Sequence, residues 1–331
     1  MRSLRMVANL LPLPIFALWD VTTTFNSSHN KDRTLKRILG DSIVRYVSTR
    51  LTIHQLQSLL GSTLAVYTKW TKKHKLPHNI DELEDGSRLL WLGPKSPTRV
   101  VLWFHGGGYF CSATDFSLSF WRYVQVELEK QDIDVGFALL DYSLKPAASF
   151  PTPLKQARSA LEFMFAAGVH PQNLQIVGDS AGGNLVVENI QLTAPIRGVC
   201  LISPWVSLTT ESKSYVENGR VDYTTAKVLA DMGSQLLADF PEKDRAFAEP
   251  AKAPELWFTE VDRTVDRVLI TAGASECMRD DIVGFAEGFS QHHPNVELAV
   301  QKDGLHEDMF LDFMVKESKV GSCTPFDSNT V

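Results

Sequence analysis

Apolar residues recur at three- and four-residue intervals in two stretches near the N-terminus. Across residues 34–46 and just beyond they fall at Leu35, Ile38, Leu39, Ile43, Tyr46 and Val47, with Lys36, Arg37 and Arg45 between them, which predicts an amphipathic helix. Thr52-Ile53-His54-Gln55 has the form of a capping box. It opens a second predicted helix, whose stripe of Leu56, Leu59, Leu60, Leu64 and Tyr67 runs on into the basic residues 69–75, where cations suit the helix dipole. Then the period changes. Residues 88–92 and 99–104 read as strands, the second almost continuously apolar, as a strand covered on both faces would be. Helical and strand patterns alternate from there: a helix at 116–128, a strand at 135–142, a helix at 154–167, and strands at 174–177, 199–202, 268–272 and 296–300. Such alternation predicts an α/β domain with a mostly parallel central sheet and helices on both faces.

The alternation fails across residues 206–262, where helical segments and polar turns carry Tyr215, Tyr223, Phe240, Phe247, Trp257 and Phe258. This stretch reads as a cap insertion, and its aromatic residues as packing. The expected organisation is N-terminal helices forming part of a cap over residues 1–85, a catalytic domain over 86–320 interrupted by the 206–262 insertion, and a flexible tail over 321–331.

With 331 residues, 44% hydrophobic and 22% charged, the chain suits one large folded domain. A net charge of −6 gives no overall attraction for nucleic acid. Charge is unevenly spread, however: residues 1–75 hold twelve lysines and arginines against three aspartates, about +9, leaving about −15 on the remainder. That basic layer suits either an anionic membrane surface or pairing with the acidic body, and pairing is the favoured expectation. Cys111, Cys200, Cys277 and Cys323 lie far apart with no Cys-x-x-Cys, suggesting neither a zinc site nor a disulfide framework, and fitting a reducing, cytoplasmic compartment. Residues 6–19 are apolar after Arg2 and Arg5, but Pro12 and Pro14 interrupt them and no clean cleavage site follows. Read as too short to span a bilayer, they are expected to pack into the cap or the core, with attachment to an endomembrane surface as the next reading and a cleaved signal, which alone would give the sequon Asn26-Ser27-Ser28 meaning, as the last.

Candidate chemistry centres on residues 176–185, an apolar run ending in Gly178-Asp179-Ser180-Ala181-Gly182-Gly183-Asn184. A serine can occupy a sharp strand-to-helix turn when the residues two before and two after it lack side chains, as Gly178 and Gly182 do. A second glycine run, His105-Gly106-Gly107-Gly108-Tyr109, follows the buried strand at 99–104 and would expose backbone N–H groups to a developing oxyanion. It lacks the spacing of nucleotide-binding loops. A serine hydroxyl needs an imidazole to take its proton and a carboxylate to orient that imidazole. In the order serine, acid, histidine, the loop after 268–272 offers Glu276, Asp280 and Asp281, and the loop after 296–300 offers His306. Glu276 is favoured because it lies three residues from Gly273, whereas Asp280 and Asp281 suit a helix start. His292 and His293 read as solvated, and His105 as a residue that shapes the glycine loop.

These motifs resemble the hormone-sensitive-lipase-like branch of the α/β hydrolases, and the N-terminal helices are similar to those of fungal members near the steryl acetyl hydrolases. The resemblance covers about residues 85–315. It implies Ser180 as nucleophile, His306 as base, Glu276 where most of the family has aspartate, and the N–H groups of Gly107, Gly108 and Ala181 as the oxyanion hole. It implies a small-molecule ester substrate, no metal and no organic cofactor, and a cap that sets substrate choice. Ser143, Ala147 and Gln156 stand where the family usually has arginine, glutamate and aspartate, which puts local stability and pocket shape in doubt. The expected activity is cleavage of a short-acyl or acetyl ester. The alternatives are a tailoring hydrolase of fungal secondary metabolism and an inactive hydrolase fold used for binding.

Overall fold

The computed structural model describes residues 2–96, 98–189 and 195–317. The tail expected at 321–331 therefore lies outside the described residues. The apolar runs become strands β1 (Asn79–Glu82), β2 (Arg88–Trp91), β3 (Val100–Phe104), β4 (Gly136–Asp141), β5 (Leu174–Asp179), β6 (Gly198–Ile202), β7 (Val268–Gly273) and β8 (Val296–Gln301). They form one sheet in the order β1-β2-β4-β3-β5-β6-β7-β8. The β1–β2 and β2–β4 pairs are antiparallel and all others parallel. β1 was not expected, because its Asn-Ile-Asp-Glu sequence on an edge has too little apolar content to register as a strand.

Five helices precede the parallel strands: α1 (Arg2–Leu10), α2 (Leu13–Thr24), α3 (Leu35–Arg50), α4 (Ile53–Leu60) and α5 (Thr63–His74). The sheet is then flanked by α6 (Asp115–Glu129), α7 (Thr152–Ala166) and α8 (Ala181–Asn189). The 206–262 stretch holds α9 (Lys213–Asn218), α10 (Ala226–Leu237) and α11 (Arg245–Ala248), and α12 (Arg279–Ser290) and α13 (Asp308–Val315) complete the order. Alternate residues of each strand serve different cores, as the two-residue period of a strand requires. Leu102, Phe104, Ile176, Leu201 and Ile270 pack with residues of α7, α8 and α12, while Trp103, Val177 and Ile202 join Phe120, Trp121 and Phe310 of α6 and α13.

Three expectations need correction. The single helix predicted from the capping box is two, because Gly61 turns the chain at φ +79° and Ser62 then caps α5 by accepting the N–H of Ala65. The apolar N-terminal run does not stop at Trp19. Thr22 and Thr24 bond back to the carbonyls of Trp19 and Asp20, and the run Met6–Thr24, 19 residues, is long and apolar enough to cross a membrane by length and composition. His293 is buried and shares a 2.7 Å hydrogen bond with the Val265 carbonyl rather than being solvated.

Candidate active site

Ser180 sits between β5 and α8 at φ +49°, a left-handed conformation unusual for a residue with a side chain. The turn is closed by backbone bonds to the next strand: Ser180 N–H donates to the Ile202 carbonyl at 2.9 Å, and Trp205 N–H to the Ser180 carbonyl at 2.9 Å. No side chain fits at the flanking glycines. A Cβ on Gly178 would stand 2.3 Å from the Gly182 carbonyl oxygen, and one on Gly182 1.9 Å from that of Phe104.

The glycine run leaves β3 beside this turn and is held by Asp179, whose carboxylate accepts the Gly106 N–H at 2.6 Å and the Trp103 indole N–H. Gly107 and Gly108 adopt φ of +105° and +65°, and among the described residues the N–H groups of Gly107, Gly108 and Ala181 make no backbone turn or loop hydrogen bond. N–H groups left without such a bond are what an oxyanion site requires. Met232 of α10 roofs the loop, its sulfur 2.7 Å from where a Cβ on Gly108 would lie. His105 stacks on Tyr142 with centroids 4.6 Å apart and shares a 3.2 Å hydrogen bond with Thr63; burial pushes its pKa down to about 4. It serves the loop's shape.

Glu276 and His306 arrive on the loops after β7 and β8. The Glu276 carboxylate is fully buried, lies 3.4 Å from His306 Nδ1, and accepts the Ser203 hydroxyl at 2.7 Å. Burial raises the Glu276 pKa, and the hydrogen bond and charge of His306 partly offset it. Asp280 is turned away, accepting the Ser214 N–H at 2.9 Å and pairing with Arg279, and Asp281 likewise opens α12. Burial alone would lower the pKa of His306, but Glu307, then Glu276 and Asp222, outweigh it and raise the imidazole to about 9. Among the described residues no hydrogen bond joins Ser180 Oγ to the imidazole. The Nε2 nitrogen instead lies 3.7 Å from Glu307 Oε1. Resting sites are commonly looser than reacting ones.

Several residues around this centre escaped sequence reasoning. Asp222, in the 206–262 stretch, is buried and accepts the N–H groups of Cys277 at 2.8 Å and His306 at 3.4 Å, so one carboxylate ties the loop after β7 to the loop after β8. Asn218 donates to the Glu276 carbonyl at 2.8 Å. Neither had a motif. Ser203, immediately after β6 at the same sheet edge as the other site loops, did carry a positional signal. The residues at 143 and 156 bond to one another: the Gln156 carbonyl accepts the Ser143 N–H at 2.7 Å and its amide donates to the Ser143 hydroxyl at 2.9 Å. Cavities of about 550 Å³ among β3, β5, β6, β7 and α6 and of about 670 Å³ beside α1, α2 and α3 include none of these site residues, so chemistry rather than size locates the site.

Comparison with known proteins agrees with this architecture. Residues 101–310 match the family described as alpha/beta hydrolase fold. The protein mug81 of Schizosaccharomyces pombe, provisionally named a steryl acetyl hydrolase, is 22% identical over 94% of this chain and 91% of its own. An ethyl acetate hydrolase of Pseudomonas putida is 27% identical over 67% of this chain and 70% of its own. The crystal structure of an esterase from the bacterial hormone-sensitive lipase family superposes with a TM-score of 0.64 and 20% identity, covering 84% of this chain and 92% of that one. The matched family, the strand order and the strained serine turn coincide, and the chain belongs to the α/β-hydrolase fold family, with hormone-sensitive-lipase-type esterases among its structural neighbours.

Proposed function

We propose that this chain hydrolyses carboxylic esters of small molecules through Ser180, His306 and Glu276 and an acyl-enzyme intermediate. The observation that carries the reading is the strained Ser180 turn set beside unpaired loop N–H groups and a buried imidazole that already faces a carboxylate. His306 takes the proton of Ser180 as the hydroxyl attacks the carbonyl. The N–H groups of Gly107, Gly108 and Ala181 receive the oxyanion, each such donor being worth about 3 kcal/mol in the transition state. His306 then protonates the leaving alcohol and activates the water that releases the acid. Glu276 keeps Nδ1 protonated and stabilises the imidazolium, and Ser203 holds the carboxylate in place.

A short acyl group, acetyl first, is favoured by the Met232 roof over the glycine loop and by the names of two relatives, a steryl acetyl hydrolase and an ethyl acetate hydrolase. Hydrolysis of p-nitrophenyl acetate, butyrate, octanoate and palmitate by wild type and Ser180→Ala tests this. Serine-dependent cleavage declining with acyl length is the expected result; cleavage that persists in Ser180→Ala refutes the triad.

We further infer peripheral contact with a membrane surface. Leu11, Ile15, Leu18 and Trp19, 60–76% exposed, recur at helical spacing around α2, and Leu35, Leu39 and Ile43 are also exposed on α3. Exposed apolar residues grouped in this way suit insertion at a bilayer interface.

A further inference from the structure

The histidine that the proposed mechanism uses has a second carboxylate that the mechanism does not need. Glu307 follows His306 directly, in a left-handed conformation at φ +49°. That backbone turn brings its side chain back over the preceding ring, so that Oε1 lies 3.7 Å from Nε2, the nitrogen that must receive the proton of Ser180. Glu307 is fixed there. Its N–H donates to the Ser203 hydroxyl at 3.3 Å, and its Oε2 accepts the Tyr223 hydroxyl at 3.3 Å. Tyr223 also meets the His306 ring edge to face, with centroids 5.7 Å apart. Glu307 Oε1 is buried, and the Glu307 side chain shares a hydrogen bond with the Asp179 carboxyl.

The groups facing this carboxylate come from four elements. Asp179, at the end of β5, presses on Gly106 from the same direction: a Cβ there would stand 2.7 Å from Asp179 Oδ2 and 2.8 Å from Glu307 Oε1. Burial, then Glu307, holds Asp179 well above the ordinary carboxylate range. Tyr223 and Asp222 approach from the cap, Tyr142 from the end of β4, and Glu276 faces the far side of the imidazole. Arg33 and Arg37 are spent on Asp308 and its neighbours and do not reach Glu307.

We propose that Glu307 is a positioning residue that holds the His306 imidazole from its reacting nitrogen, favouring the protonated, resting form and moving the working range of the site to alkaline pH. An imidazolium bracketed by a carboxylate on each nitrogen is more stable than one with a carboxylate on Nδ1 alone, and it must lose a proton before it can accept the one from Ser180. Removing the charge on the Nε2 side therefore frees the base at lower pH. The inference rests on His306 being the general base.

The test measures kcat/KM for p-nitrophenyl acetate, and in parallel the rate of labelling of Ser180 by a fluorophosphonate, from about pH 6 to about pH 10 in wild type, Glu307→Gln and Glu307→Asp, with Ser180→Ala as background. In wild type both rates are expected to rise with pH on an acid limb near 9. Glu307→Gln shifts that limb down by about one unit or more, so that at neutral pH the variant reaches roughly tenfold more of its own plateau than wild type does. Glu307→Asp, which keeps the charge one methylene further back, moves the limb part of the way and serves if Glu307→Gln does not fold. A residue of purely structural importance would lower the plateau and leave the limb where it was. Limbs that coincide in wild type and variants, with Ser180-dependent activity intact, overturn the role of Glu307 alone; a wild type with no Ser180-dependent reaction at any pH overturns this inference together with the proposed function.

Discussion

Gly182 is the residue at which the chain has least freedom. Because a Cβ there would meet the backbone oxygen of Phe104 at 1.9 Å and that of His105 at 2.7 Å, no rotamer change relieves the overlap. Gly182→Ala should therefore destabilise the fold by about 3 kcal/mol or more, at the upper end of overpacking effects, read as a fall in the urea midpoint; a midpoint within error of wild type would contradict the packing described. The strain at Ser180 belongs to the same turn. Its φ of +49° is maintained by the bonds of its N–H and carbonyl to β6 and the loop after it. This turn was legible in the sequence because the requirement for missing side chains is local and writes itself as glycine. Ser143 and Gln156 were legible only as departures; that they satisfy one another depends on two side chains thirteen residues apart meeting across a helix start.

At the scale of elements, α3 does more than cover the sheet. Arg37, buried at its first turns, pairs with Asp41 on its own helix at 2.7 Å and with Asp308 at 2.7 Å and Asp312 on α13, while Arg33 bonds to Asp308 at 2.8 Å and to the Asp303 carbonyl at 2.7 Å. Asp308 in turn accepts the Leu305 N–H at 3.0 Å, so the loop that carries His306 is braced from the N-terminal helix. Burial alone would raise the Asp308 pKa, but Arg37 and Arg33 outweigh it and lower it to about 2. A carboxyl depressed in the folded state stabilises the fold above its unfolded value, and that contribution, roughly 2 kcal/mol, is lost as pH falls towards 2. Arg37→Met leaves buried carboxylates without their partner and should cost about 3 kcal/mol at neutral pH in thermal or urea unfolding. The penalty should shrink on acidification as Asp308 takes up a proton; a penalty independent of pH would count against the brace. The amphipathic period of α3 was plain in the sequence. Pairing of the basic N-terminal layer with the acidic body was the favoured expectation, but periodicity cannot name the partners of Arg33 and Arg37, since α13 arrives from some 270 residues away.

The whole molecule divides its surface unevenly. Of the large apolar side chains most exposed, Leu11, Ile15, Leu18 and Trp19 lie on α2 and its approach, and α3 adds to them. The balance of basic residues in the first 75 is partly consumed internally, as Arg33, Arg37 and Arg45 show by pairing with Asp41, Asp308, Asp312 and Asp20, so apolar burial rather than net charge carries the proposed membrane contact. In flotation with anionic liposomes, the full chain should rise with the lipid. Ile15→Glu combined with Leu18→Glu, which leaves the Asp20 pairing untouched, should reduce partitioning by about a hundredfold or more, given roughly 1.5–3 kcal/mol per buried side chain. Full-length protein that stays with the soluble fraction would end the proposal.

The sequence by itself determined the parallel sheet, the serine turn, the glycine loop and the order in which serine, acid and histidine occur, because each is a matter of period or of neighbours within a few residues. It left Glu276 competing with Asp280, gave Ser203 only a position at the end of a strand, and said nothing of Asp222 or Glu307 at the site. The folded chain separates Glu276 from Asp280 by direction: one points from the end of β7 to the imidazole, the other along α12 to Ser214. Ser203 meets Glu276 across 73 residues of chain, and Asp222 meets His306 across 84. Contacts of that separation depend on strand order and loop path, which close only when the sheet has formed, and the charge environment of the imidazole is decided there.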